Sequence, residues 1–129
     1  MRSAYSAAIM AVLAITSIAV CVTGRAPRSP SIAVGAPFAG KLRNGEVLPS
    51  KGSGYFVIPD TKKRRHRFGT VELVMAVKHA AWKVRQRYPK SRLAVADLSR
   101  YAGGRIPHHA SHQNGRDVDL LFYTRDAQG

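Results

Sequence analysis

Cysteine is all but absent from this chain: Cys21 is the only one in 129 residues. No disulfide framework can therefore staple the fold, and stability must come from an apolar core or from a bound metal. Acidic residues are also scarce. Seven Asp and Glu stand against 21 Lys and Arg, a formal charge of +14. No apolar run reaches the roughly 20 residues of a membrane span, and no internal repeat points to a solenoid. The length suits one modest domain.

The longest apolar stretch, Ala7 to Val22, follows the short positive start Met1-Arg2 and is broken by Arg25, Pro27, Arg28 and Pro30. That order predicts a secretory signal peptide over residues 1–24. Cleavage could follow Val22-Thr23-Gly24 or Ala19-Val20-Cys21, and an uncleaved leader would act as an anchor. Cys21 is then either discarded with the leader or a lipidation site. The predicted location is periplasmic or otherwise exported. A basic exported protein is drawn to polyanions such as cell-wall polymers or acidic headgroups. Export argues against nucleic acid as the partner.

Residues 25–37, rich in Pro, Ser, Gly and Ala, read as a linker before a domain at 38–129. Asn44-Gly45 between short alternating pieces predicts a hairpin turn. Tyr55-Phe56-Val57-Ile58 predicts a strand closed by Pro59-Asp60. Residues 61–67 hold Lys62, Lys63, Arg64, Arg65 and Arg67. That segment reads as a solvated loop or as a loop that binds polyanions.

Thr70 to Tyr88 predicts the main helix, capped by Thr70, with Glu72 near its positive end and Pro89 ending it. Leu73, Val77, Ala80, Ala81, Val84 and Tyr88 share one stripe and are the predicted core face. His79 lies off the stripe and is expected on the surface. Strands are expected around 91–98 and 117–123. The predicted class is α+β, with one long helix, about 70–88, packed on a small, largely antiparallel sheet.

The run from Pro107 to Leu120 carries the chemistry. It contains a His-x-x-His pair, His109 and His112, and a His-x6-Asp pair, His112 and Asp119. Imidazole and carboxylate are the ligands of hydrolytic zinc sites, which use three protein ligands and keep one open position. His, Asn, Gly and Pro crowd residues 108–116, so that segment is expected to be a loop. There His109 and His112 can turn to one point, while Asp119 is aimed by the pleat of a strand. Arg105 and Arg116 could bind a substrate carboxylate or balance Asp117 and Asp119. The alternative is a surface cluster of histidines beside ordinary turn acids.

Several dispersed blocks favour the metal site. They are Leu42-x-Asn44-Gly45-x-x-Leu48-Pro49, Gly54-Tyr55, Phe68-Gly69-Thr70-x-Glu72-Leu73-Val74, Val95-Ala96-Asp97-Leu98-Ser99 and Gly103-Gly104-Arg105. The last is His109-x-Ser111-His112-Gln113-x-Gly115-x-Asp117-Val118-Asp119-Leu120. From Ser31 to Tyr123 the chain resembles the penicillin-insensitive murein endopeptidases, exported zinc peptidases similar in fold to D-alanyl-D-alanine metallopeptidases and lysostaphin-like enzymes.

The resemblance implies Zn2+ as cofactor and the peptide cross-links of murein (peptidoglycan) as substrate. It makes His112 and Asp119 zinc ligands and puts His109 at the same metal. Ser111, Gln113 and Asp117 match motif positions expected to orient ligands or substrate. The family completes its site with a downstream His-x-His, one histidine a ligand and the other catalytic. The 129 residues contain no such pair, so those groups are expected beyond Gly129, and the domain reads as C-terminally incomplete. The competing expectation is a non-catalytic, basic wall-binding protein with a partial metal site.

Overall fold

The computed structural model describes residues 29–121. The leader, Cys21, the start of the linker, and Phe122 and Tyr123 of the last expected strand lie outside the described residues. The order of elements is β1 (Ile32–Ala36), β2 (Ala39–Arg43), β3 (Glu46–Val47), β4 (Lys51–Gly52), β5 (Tyr55–Val57), α1 (Pro59–Arg64), β6 (Phe68–Gly69), α2 (Val71–Arg87) and β7 (Leu93–Val95). The class is α+β, with small, mostly antiparallel sheets and one main helix. No helix among the described residues is long and apolar enough to cross a membrane.

The main helix begins and ends where its sequence signals place it. The Thr70 side chain accepts from the Leu73 amide at 3.3 Å, which satisfies one of the free donors of the first turn. The buried face is Val74, Val77 and Ala81, with Leu73 partly buried. Ala80 is exposed, and so is Tyr88, at 62%. Both were expected in the core stripe. The apolar face is rotated toward Val74 because α2 packs on β3, β5 and β6, and Tyr88 already sits at the C-cap, outside that contact. His79 is exposed as expected.

Strands β4, β5 and β7 form the sheet beneath this helix, with β4–β5 antiparallel and β5–β7 parallel. The parallel pair is what the long crossover through α2 permits. Tyr55, Val57, Leu93 and Val95 point to one side and join Leu48, Leu98 and the helix in a single core, with Val118 packed at its edge.

Three expectations are corrected. Residues 32–36, read as linker, form β1, because Ile32-Ala33-Val34 pairs with β2 in register Ile32↔Arg43 to Ala36↔Ala39. Asn44 does adopt a left-handed φ of 51°, but Asn44-Gly45 closes no hairpin: β2 is taken by β1, and β3 pairs with β6. The basic run is not a plain loop either. Pro59 opens a short helix, Asp60 occupies its first turn, and Arg65 ends it in the left-handed conformation.

Candidate metal centre

The segment from Gly103 to Leu121 has no named strand or helix, so tethers rather than a ladder fix its shape. The Gln113 amide donates to Pro37 O at 2.9 Å and its side chain to Phe38 O at 2.8 Å. Asn114 Nδ2 donates to Gly35 O at 2.9 Å. The β1–β2 hairpin is thus tied to the loop at its tip. On the other side Thr70 N donates to Gly115 O at 2.9 Å, which joins the loop to the start of α2. Gly103, at φ +71°, lies so close to neighbouring backbone that a Cβ there would fall 2.2 Å from Gln113 O and 2.4 Å from Leu42 N. Only glycine fits such a position.

Residues 117–121 were expected to be a strand. They run antiparallel beside residues 94–97 with an isolated bridge between Val95 and Leu120. Asp119 exchanges both backbone bonds there: its amide donates to Asp97 O and its carbonyl accepts from Ala96 N, each at 2.9 Å. The Asp119 carboxylate is therefore aimed by a paired backbone, and its side chain is 43% exposed.

His112 is 5% exposed and sits at φ +69°. That conformation is uncommon outside glycine, and the Asp117 carboxylate holds it by accepting from the His112 amide at 3.0 Å. His112 Nδ1 lies 2.7 Å from Leu98 O. A carbonyl only accepts, so Nδ1 carries the proton and the neutral ring keeps its lone pair on Nε2. Nε2 is 3.2 Å from Asp119 Oδ1. His109 Nδ1 is 3.6 Å from Asp119 Oδ2, and its ring stands edge-on to His112, centroids 4.5 Å apart. One donor atom from each of His109, His112 and Asp119 lies within 4.8 Å of the others. Two imidazoles and a carboxylate, with one ring already turned by a backbone carbonyl, suit a zinc ion.

The remaining expected residues divide. Asp117 and Gln113 hold the loop, as described. Arg105 is exposed and Ser111 half-buried. Among the described residues neither Arg105 nor Arg116 forms a direct ion pair with Asp117 or Asp119.

Sequence reasoning missed Asp97 as a site residue. It is buried two residues past the end of β7. Thr61 Oγ1 donates to its Oδ1 at 2.7 Å, and one terminal nitrogen of Arg64 lies 3.0 Å from both carboxylate oxygens. His109 Nε2 is 3.2 Å from Oδ2. Burial pushes the Asp97 carboxyl up, but the Thr61 hydroxyl and the Arg64 guanidinium outweigh it and hold the group below the ordinary carboxylate range. His66, also buried, has its Nδ1 3.5 Å from Asp97 Oδ2 with no hydrogen-bond partner. Burial lowers its affinity for a proton despite the nearby carboxylate, and Arg100 and Arg64 lower it further. Arg64, His66, Asp97, Arg100, His108 and His109 line a cavity of about 570 Å³ beside the cluster. The available signal was the carboxylate that ends the apolar run Leu93-Ala94-Val95-Ala96.

Residues 33–128 match the family model described as penicillin-insensitive murein endopeptidase. Proteins of that name from Klebsiella pneumoniae (strain 342) and Salmonella arizonae are each 35% identical over 90 residues, 69% of this chain and 32% of theirs. One from Salmonella paratyphi B is 33% identical over the same coverage. The chain thus spans about a third of the length of these curated relatives. With the match covering most of its residues, the chain belongs to the penicillin-insensitive murein endopeptidase family.

Proposed function

We propose that this chain carries the His109, His112 and Asp119 part of the zinc site of an exported peptidase that cleaves peptide cross-links in murein. The observation that supports it best is the ring of His112, whose proton is committed to Leu98 O and whose free nitrogen faces Asp119. When bound, zinc supplies Lewis-acid polarisation of a scissile carbonyl and lowers the pKa of water towards about 7. The chain's own residues do the rest of the positioning. Asp117 fixes the strained backbone of His112, and Gln113 keeps the loop against the hairpin. Arg105 is exposed and Ser111 half-buried, and they are the side chains proposed to meet substrate. A further ligand and a general base are expected from a His-x-His pair of the kind the family resemblance implies. Export through the leader expected over residues 1–24 would bring the enzyme to the periplasm or otherwise outside the cytoplasm.

A second reading has its own support. Lys62, Lys63 and Arg65 are exposed on or next to α1, and such a cationic edge suits adsorption to an anionic wall polymer without cleavage. One experiment separates the two. Sacculi are incubated with a protein that joins this chain to the His-x-His region of a relative. The enzyme reading expects release of cross-linked peptides, unaffected by penicillin, which acylates a serine nucleophile, and abolished by a chelator. Adsorption that weakens with salt, with nothing released, would favour the wall-binding reading instead.

A further inference from the structure

We propose that Asp97 is a positioning residue of the metal centre: it decides which ring nitrogen His109 turns towards Asp119, and helix α1 holds it in place to do so. The proposal relies on the zinc reading only for its purpose. The hydrogen bonds that carry it stand on their own.

Asp97 is 4% exposed, so its oxygens must find partners inside the protein. Two of those partners come from α1. Thr61 occupies Oδ1 at 2.7 Å, and Arg64 reaches both oxygens at 3.0 Å. Oδ2 also faces His109 Nε2 at 3.2 Å, nearer than His66 Nδ1 at 3.5 Å. A carboxylate paired with a guanidinium offers only acceptor oxygens. His109 Nε2 therefore carries a proton, and in the neutral ring the lone pair is left on Nδ1, the atom 3.6 Å from Asp119 Oδ2.

His112 solves the same problem in the opposite sense. Its Nδ1 donates to Leu98 O, and Nε2 is the free atom. Two consecutive residues just past β7 thus set opposite tautomers in the two histidines, Asp97 with its side chain and Leu98 with its backbone. The consequence for α1 is specific. Arg64, although its side chain is 46% exposed, belongs to the metal centre's support through its contacts with Asp97.

Asp97→Asn tests this with almost no change of shape. Thr61 and Arg64 both donate, so they retain the Asn oxygen on their side and turn the amide NH2 towards His109. Nε2 must then accept, and the ring proton moves to Nδ1. The test is a two-bond 1H–15N correlation of the histidine rings in the metal-free 129-residue chain, followed by zinc titration against a competing chelator. At a pH where both rings are neutral, the wild type should show His109 protonated at Nε2 and His112 at Nδ1. In Asp97→Asn the His109 pattern should invert while that of His112 stays, and zinc affinity should fall about 10–100-fold.

A wild-type His109 protonated at Nδ1, or an Asp97→Asn variant that keeps the Nε2 proton, overturns the proposal. The wild-type spectrum needs no variant, so the claim remains falsifiable even if a change at this buried position unfolds the chain. Tautomer inversion without any zinc uptake by the wild type would uphold Asp97's role and refute the zinc reading. Zinc uptake with a tautomer indifferent to Asp97 would do the reverse.

Discussion

The sheet-and-helix core and the histidine-bearing loop sit side by side but are held by different forces. Around α2 the contacts are apolar and undirected: Leu48, Val57, Val74, Val77, Ala81, Val95 and Leu98 fill one continuous cluster. The loop from Gly103 to Asp119 instead hangs on directed bonds to the hairpin, to the start of α2 and to the end of β7. Burial tolerates any side chain of the right volume. A directed bond depends on one atom. The core should therefore respond to mutation through volume and the loop through chemistry.

The largest effect is expected in the core. Leu48 is fully buried, and Leu48→Ala should cost about 2–5 kcal/mol of stability through lost burial and a residual cavity. Denaturant unfolding measures it, and zinc affinity per folded molecule should not change. A stable Leu48→Ala protein with altered metal binding would erase the distinction between the two regions.

Within the loop, two neighbouring glycines sharpen it. Both Gly103 and Gly104 have φ in the left-handed region, but a Cβ at Gly103 would strike Gln113 O and Leu42 N, whereas one at Gly104 meets nothing within 4 Å. Gly104→Ala should cost only the conformational penalty, about 1–2 kcal/mol. Gly103→Ala should cost more and should weaken zinc binding as well, because the loop must shift. Equal losses from the two substitutions would mean that the loop is not held as tightly as these distances imply.

A smaller effect lies between the regions, at His66. Its affinity for a proton is lowered on folding from an ordinary value of 6.5. Below about pH 6.5 the unfolded chain takes up a proton that the folded chain resists, so stability rises with pH across that window. The contribution is intact above pH 6.5 and is lost as pH falls towards the lower folded value. The stability of wild type relative to His66→Gln, followed from pH 7.5 to 5.5, should therefore decline on acidification. A flat difference, or one that grows, would contradict the burial assigned to His66.

The same contrast explains how far the sequence could be read. The helix was legible because Thr70 and Pro89 are local signals and its apolar period repeats. Its exact buried face was not, since whether Val74 or Ala80 is covered depends on where β3, β5 and β6 lie. Pro59-Asp60 marks a helix start as well as a strand end, and the five cations that follow mask the former. Asn44-Gly45 reports a local bend, not the partner of the strands on either side. In the site, His109, His112 and Asp119 stood out by type and spacing within one short run. Asp97, Thr61 and Arg64 did not, because their meeting is a tertiary event across more than 30 positions of chain.

The central claim is that His112 and Asp119 share a metal. Equilibrium dialysis with zinc of the wild-type chain, His112→Ala and Asp119→Ala tests it most directly. The account predicts zinc uptake by the wild type and a clear loss in both variants, with all three still folded. Equal uptake by the three proteins would contradict it.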